Sequence, residues 1–185
     1  MRKLTLLLLS VLALSAYAQV TTEPAIIQKG YDGEITIIFN PNEGNKGMAG
    51  ATKCYAHTGL ITSASSSNGD WKHVVEGWRS NTAKTQLTKD GTNWKLVIPN
   101  IYEYYKCPTT TEIKKIAFVF HDGPSGSKEG KTADGGDIFV NLADKGLAVS
   151  INDLAEITSM NSKVTFEGNA TVSASLTLKI NGETV

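Results

Sequence analysis

A tyrosine, a histidine and a tryptophan lie close together in the first half of the chain. Tyr55 and His57 alternate in an apolar run, and Trp71 follows after a Ser/Asn-rich loop. Side chains two apart in a strand point the same way, so Tyr55 and His57 are predicted to share one face. The loop then returns Trp71 towards that face. Such a set forms a flat apolar platform with a hydrogen-bonding edge. It suits a sugar ring, whose C–H face stacks on an aromatic while its hydroxyls need polar partners.

The same residue types also occur in ordinary strands. Tyr and Trp pack in cores far more often than they bind ligands, and a histidine in a strand is commonly a satisfied structural residue. The residue types alone therefore leave two alternatives open: a sugar-binding face, or a strand whose aromatics are half-buried packing residues.

Two motifs connect the chain to a known group of proteins. The first is Tyr55–Gly59 followed by Asp70-Trp71, and the second is Ile116–Gly123 followed by Gly135–Val140 after a Gly-rich loop. Over residues 21–142 the chain resembles the starch-binding modules of carbohydrate-binding families 25 and 26. It is most similar to the N-terminal β-sandwich module of secreted α-amylase-family proteins (glycoside hydrolase family 13) from saccharolytic Gram-negative bacteria.

The resemblance implies an immunoglobulin-like β-sandwich that binds α-glucan without catalysis. Trp71 stands at the stacking position, and His57 and Tyr55 would hydrogen-bond or stack. In those families a second stacking Trp lies between the last two strands, whereas here residues 123–136 contain no aromatic. Trp78 or Tyr55 is the candidate second wall. The alternative is a structural spacer that docks against its own enzyme's catalytic domain and binds no sugar.

Catalytic motifs are missing from the sequence. The chain has 3 histidines and no Gly-x-Ser-x-Gly elbow for a nucleophilic serine. A glycosidase needs two carboxyl groups at a defined separation, which a sequence does not reveal. We therefore predict no enzyme activity for this chain and interpret most of its candidate carboxylates as loop and turn residues: Asp70, Glu76, Asp122, Asp134 and Asp137.

No metal or other cofactor is predicted. The cysteines and histidines do not have the spacing of a zinc site. Asp122, Asp134 and Asp137 surround the Gly-rich loop and could coordinate calcium together with backbone carbonyls, but they match no EF-hand loop. Solvated turn residues are the favoured interpretation of these three acids.

The N-terminus and the charge balance predict an exported protein. A basic start at residues 1–3, an apolar run and the small residues Ala16 and Ala18 are typical of a signal peptide over residues 1–18. The apolar run is shorter than the ~20 residues that span a bilayer. The mature chain is expected to begin at Gln19 and to be periplasmic, attached to the outer surface or extracellular. With 18 basic and 18 acidic residues, neither nucleic acid nor a membrane surface is an expected partner.

Cys54 and Cys107 are the 2 cysteines of the chain. An even number in an exported protein permits one disulfide. Two small, buried apolar residues are the alternative. The sequence leaves the choice between them open.

Runs of β-branched and alternating residues between turn formers predict an all-β first domain over residues 19–142. The expected strands are residues 34–39, 53–62, 71–75, 84–88, 93–98, 113–121 and 137–142. Strands 84–88 and 93–98 are expected to form a hairpin across Asp90-Gly91. Residues 100–105 predict a short helix capped by Asn100 and stopped by Pro108. Trp94 should face the interior together with Leu96 and Ile98, because side chains two apart in a strand point the same way.

Residues 143–185 are predicted to start a second immunoglobulin-like domain. They contain strand-like runs and end just after Asn181-Gly182, a hairpin turn signal. A hairpin needs a returning strand to satisfy its backbone groups. We therefore expect the chain to stop inside this domain and to be a fragment of a longer polypeptide. In the resembled proteins a catalytic α-amylase barrel follows, which makes a downstream catalytic domain the second expected partner besides α-glucan.

Overall fold

The computed structural model describes residues 18–146 and four short segments further on, at 149–151, 168–170, 179–180 and 183–184. Within residues 18–146 the strands form two antiparallel sheets with a single short helix, which confirms the all-β prediction. The strands are β1 (Val20–Glu23), β2 (Ile35–Phe39), β3 (Tyr55–Thr62), β4 (Thr88–Asp90), β5 (Asn93–Ile98), β6 (Ile113–His121), β7 (Glu129–Gly130) and β8 (Ile138–Asn141); the helix α1 is Ile101–Tyr104.

The first sheet has the strand order β1-β2-β5-β4. In the second sheet β6 is central: it pairs with β3 on one side and with both β7 and β8 on the other. β3 and β6 pair along their whole length, and this pairing positions the residues discussed below.

One hydrophobic core joins the two sheets. Phe39 of the first sheet stacks on Phe120 of the second with ring centroids 4.0 Å apart. Every second residue of β2 and β5 is buried in this core, as strand periodicity requires: Ile35, Ile37, Phe39, Trp94, Leu96 and Ile98. The prediction that Trp94 faces the interior is confirmed, since it is 4% exposed.

The prediction of a strand over residues 71–75 is wrong. Only Lys72 forms a bridge, to Leu60, and the backbone of His73 is left-handed with φ of 52°. A left-handed residue without glycine's freedom interrupts the extended conformation. The segment therefore crosses β3 as an irregular loop. The structure also contains two short strands that were not predicted, β1 and β7.

The predicted hairpin between residues 84–88 and 93–98 is only partly correct. β4 and β5 do pair, but Asp90 lies opposite Asn93, so the turn residues are Gly91 and Thr92. Residues 85–87 pair instead with the start of β3, through Leu87 N–H to the Cys54 carbonyl and Ala56 N–H to the Thr85 carbonyl. This segment thus connects the two sheets.

The helix prediction is confirmed. The side chain of Asn100 accepts hydrogen bonds from the backbone N–H groups of Tyr102 at 2.9 Å and Glu103 at 3.1 Å. These two bonds satisfy donors that have no partner within the helix.

Both cysteines are free thiols in the structure, so the disulfide that the sequence permitted is not formed. Cys54 is fully buried and Cys107 nearly so, and both belong to the core. Burial raises the pKa of both thiols. They therefore take the alternative role, that of small apolar residues.

Beyond residue 146 the structure describes two short antiparallel pairs: β9 (Val149–Ile151) with β10 (Gly168–Ala170), and β11 (Lys179–Ile180) with β12 (Glu183–Thr184). The second pair flanks residues 181–182, where the sequence predicts a hairpin turn, and supplies a two-residue returning strand that was not expected. The predicted signal peptide lies outside the described residues, apart from Ala18, as does most of the predicted second domain. Their assignments stay predictions.

Candidate functional site

The candidate site lies on the outer face of the second sheet. Ala56 and Leu60 of β3 point into the core, so Tyr55, His57 and Gly59 point away from it. The register places Tyr55 opposite His121, His57 opposite Val119 and Gly59 opposite Ala117. The prediction that Tyr55 and His57 share a face follows from this alternation and is confirmed.

The loop after β3 folds back across this face. Leu60 and Lys72 exchange two backbone hydrogen bonds of 2.7 Å, and Val75 N–H donates to the Thr58 carbonyl at 3.0 Å. These bonds fix the loop at two points, on either side of His73. Trp71 is thereby carried back over β3, as the sequence predicts.

Gly59 makes this crossing possible. A Cβ atom at residue 59 would lie 3.1 Å from Val74 Cγ2, 3.2 Å from the Lys72 carbonyl oxygen and 3.3 Å from Trp71 Cε3. The loop therefore packs on bare backbone at this position. An isolated glycine within a strand is a known signal of such close approach.

Two tryptophans contact His57 from different directions. The Trp71 ring stacks on the imidazole with centroids 5.4 Å apart and planes at 24°. The Trp78 ring meets the same imidazole at 5.1 Å and 87°. Trp71 is half-buried and Trp78 is 49% exposed, so both belong to the surface and not to the core.

An open groove of about 420 Å³ lies beside these rings. Apart from the two tryptophans and His57, its lining includes two acids, a lysine and apolar side chains: Asp70, Val74, Val119, Lys131 and Asp137. This combination of aromatic faces and convergent polar groups is typical of small-molecule sites, and the volume lies within their range of roughly 300–1,000 Å³.

Hydrogen bonds order the loop that carries Trp71. The Asp70 carboxylate accepts from Ser66 N–H at 2.9 Å, Ser66 Oγ at 3.1 Å and Lys72 Nζ at 2.7 Å. These contacts, the Lys72 bond foremost, lower the pKa of Asp70 to about 2. The indole N–H of Trp71 donates to the Asn68 carbonyl at 3.0 Å. The ring is thus held by its edge, with one face against His57.

The two histidines of the site have lowered pKa values. Burial lowers the pKa of His57, while the Glu76 carbonyl and the Asp137 charge oppose this effect. Burial and the nearby positive charge of Arg79 lower the pKa of His121 to about 4. His121 Nδ1 accepts a hydrogen bond from Gly123 N–H at 3.1 Å, which a protonated Nδ1 would lose. Both histidines are therefore neutral at pH 7 and serve as aromatic packing partners.

The four predicted sugar-site residues cluster, but not all reach the groove. His57, Trp71 and Trp78 line it. Tyr55 is 6% exposed and stacks on His121 at 5.8 Å. It supports His121, which contacts Trp78 at 5.7 Å, so its link to the groove is indirect.

The acids that were considered as calcium ligands are engaged separately. Asp122 accepts from Arg79 and from Lys128 N–H, whereas Asp134 accepts from Thr132 Oγ1 and Gly136 N–H. Asp137 lines the groove. Among residues 18–146, no three His, Cys, Asp or Glu side chains lie close enough together to hold a metal ion.

Sequence reasoning did not connect Val74, Lys131 and Asp137 with the groove. Lys131 and Asp137 lie on both sides of residues 132–136, and only the pairing of β7 and β8 with β6 brings them to the site. For Val74 a signal existed: Gly59 within an apolar strand indicates that another segment packs on that face.

The chain matches no protein-family model and no curated protein. In the described part of the chain, no helix is long and apolar enough to cross a membrane.

Proposed function

We propose that residues 19–142 form a non-catalytic module that binds α-glucan through this groove. The observation that carries the proposal is the contact of Trp71 and Trp78 with one histidine at an open groove edged by Asp70, Lys131 and Asp137. Aromatic faces stack on the C–H faces of sugars, and carboxylates and ammonium groups bind hydroxyls.

The orientation of the two rings supports an α-glucan over a flat polysaccharide. Trp71 is nearly parallel to the His57 ring and Trp78 nearly perpendicular to it, so the two indoles are steeply inclined to each other. A curved chain, such as an α-1,4-glucan, presents successive sugars at an angle. A flat β-1,4-linked ribbon presents them in one plane and suits coplanar rings.

Within a longer polypeptide, such a module would hold a downstream α-amylase-type catalytic domain near its polymer. Tethering raises the effective substrate concentration without new contacts at the catalytic centre. The export signal that the sequence predicts over residues 1–18 agrees with this role, because an exported module meets polysaccharides outside the cell.

A specific observation favours a second candidate, a spacer that docks on its own enzyme's catalytic domain. Val74 and Trp78 are 41% and 49% exposed and border the same groove. Exposed apolar side chains that adjoin one another are also typical of docking faces. No aromatic residue of the 123–136 segment adds a further sugar platform.

Binding of maltoheptaose to Trp71→Ala and Trp78→Ala tests the proposal. Each variant loses one stacking face, and we expect Kd to rise about tenfold, corresponding to ~1.4 kcal/mol. Isothermal titration calorimetry measures Kd, and electrophoresis in gels containing starch or a soluble cellulose derivative compares polymers. Val97→Ala is the control, because Val97 is 47% exposed on the other sheet.

The outcomes separate the two candidates. A roughly tenfold rise in Kd in both tryptophan variants, with a nearly unchanged melting temperature, supports the sugar site. A wild-type protein that binds no α-glucan would favour the docking spacer. Unfolding of Trp71→Ala would show that Trp71 is a core residue, whose truncation costs about 3–5 kcal/mol.

A further inference from the structure

We propose that Arg79 is the positioning residue of the groove, holding Trp78 as its second wall and coupling that wall to the polar edge at Lys131. This inference rests on the proposed sugar site for its effect on binding. The positioning itself is read from contacts in the free protein.

Arg79 fastens the turn that carries Trp78 to the segment 122–130. Its Nη1 donates to the carbonyl oxygens of Gly126 at 2.8 Å and Gly123 at 3.1 Å, and to Asp122 Oδ1 at 3.3 Å. Its Nη2 donates to Glu129 Oε1 at 3.1 Å. The side chain is 17% exposed, so these bonds are largely shielded from water. A planar guanidinium supplies this fork of donors, which a lysine ammonium does not reproduce.

The receiving segment is shaped for this contact. A Cβ atom at residue 126 would overlap the Asp122 carboxylate, so only glycine leaves room for Asp122 at this point. Asp122 Oδ1 also accepts from Lys128 N–H at 3.2 Å, which fixes its orientation towards the guanidinium.

Trp78 needs such an anchor, because little else holds it. Half of its surface is exposed, and its ring contacts are edge or tilted approaches to His57 and His121. The Arg79 guanidinium lies 5.6 Å from the Trp78 ring centroid. The backbone of Arg79 is left-handed with φ of 58°, a conformation disfavoured for a residue with a Cβ. The guanidinium bonds compensate for this unfavourable turn and so maintain the direction of Trp78.

Glu129 links the aromatic wall to the polar edge. One of its carboxylate oxygens accepts from Arg79, and the other pairs with Lys131 Nζ at 2.9 Å. Lys131 lines the groove together with Trp78. Arg79, Glu129 and Lys131 thus form a continuous chain of charged contacts that sets the distance between a stacking ring and a hydroxyl-binding group.

The test uses Arg79→Ala and Arg79→Lys, each alone and in a Trp71→Phe background, where Trp78 is the accessible tryptophan and Trp94 is buried. Without sugar, acrylamide quenching of fluorescence reports the position of Trp78. We expect quenching to increase in Arg79→Ala and to lie in between for Arg79→Lys. With Trp71 intact, the maltoheptaose Kd should rise up to about tenfold in Arg79→Ala, the limit set by one stacking ring.

Glu129→Gln and Lys95→Ala complete the design. Glu129→Gln leaves Arg79 in place. It should raise the maltoheptaose Kd but increase the quenching of Trp78 less than Arg79→Ala does. Lys95→Ala removes a cation from the other sheet, where Lys95 pairs with Asp90, and should change neither quantity. Unchanged quenching in both Arg79 variants would overturn the proposal. If the Arg79 variants show altered quenching but neither they nor the wild type bind glucan, the positioning role of Arg79 is retained and the sugar function is rejected. Should Arg79→Ala not fold, the quenching of Arg79→Lys decides.

Discussion

At the scale of single residues, the site depends on side chains whose role is packing as much as polarity. His57 is neutral and lies between two tryptophans, so it acts as the common surface on which both rings rest. His121 supports this arrangement from the neighbouring strand, with Tyr55 on one side and Trp78 on the other. Two histidines of a residue type common in acid–base catalysis thus serve here as aromatic partners.

Protonation of His121 should destabilise the fold. Its pKa is lowered from 6.5 to about 4, so the unfolded chain binds a proton more tightly than the folded protein. The free energy of unfolding should therefore fall as the pH drops from 6.5 towards 4, by at most about 3 kcal/mol from this residue. Below a pH of about 4, His121 is protonated in both the folded and the unfolded state, and the stability that its neutral form contributed at pH 7 is fully lost.

Urea unfolding at pH 7 and pH 4.5 measures this effect, with His121→Asn as the matched variant. Asparagine retains an acceptor for Gly123 N–H but does not titrate in this range. The variant should lose less stability than the wild type over this pH interval. An equal loss in both proteins would show that carboxylates alone cause the acid sensitivity.

At the scale of elements, the site is a strand covered by an irregular loop. β3 presents His57 and Gly59 on its outer face, and the loop at residues 71–75 crosses there through bonds to Leu60 and Thr58. The tight approach at Gly59 sets the depth of the crossing and with it the height of Trp71 above the sheet.

Gly59→Ala should displace this loop. Its Cβ would meet three atoms of the loop at 3.1–3.3 Å, which is overpacking with an expected cost of about 1–3 kcal/mol. We expect a lower melting temperature and weaker maltoheptaose binding, because Trp71 moves away from His57. Gly77→Ala is the control in the same loop, since no atom lies within 4 Å of the added Cβ. Equal behaviour of the two variants would refute a positioning role for Gly59.

At the scale of the whole molecule, two antiparallel sheets share one core, and the candidate site uses the opposite face of one sheet. Core and site are therefore separate layers: Ala56 and Leu60 serve the first, and His57 and Gly59 the second. Truncations on the outer face should impair binding more than stability, while truncations in the core should do the reverse.

The core thiols provide a check on the whole fold. Cys54 and Cys107 are buried and free, and burial raises the pKa of both. We expect neither thiol to react with a thiol-specific reagent at pH 8 until the protein unfolds, whereupon both react. Mass spectrometry of the alkylated protein measures this. A disulfide in the native protein would contradict the arrangement described here.

The sequence by itself determined the features that depend on local periodicity. Alternation placed Trp94 inside and put Tyr55 and His57 on one shared face, β-branched and apolar runs marked β2 and β6, and Asn100 marked the start of the helix, because these signals involve neighbours along the chain. Only the tertiary structure decided that Trp78 meets the same histidine as Trp71, that Lys131 and Asp137 edge the groove, and that Tyr55 is buried and does not line it. These relations arise from the pairing of β3, β7 and β8 with β6 and from the Arg79 contacts across 43 to 50 residues of chain. Local patterns do not encode contacts of that separation.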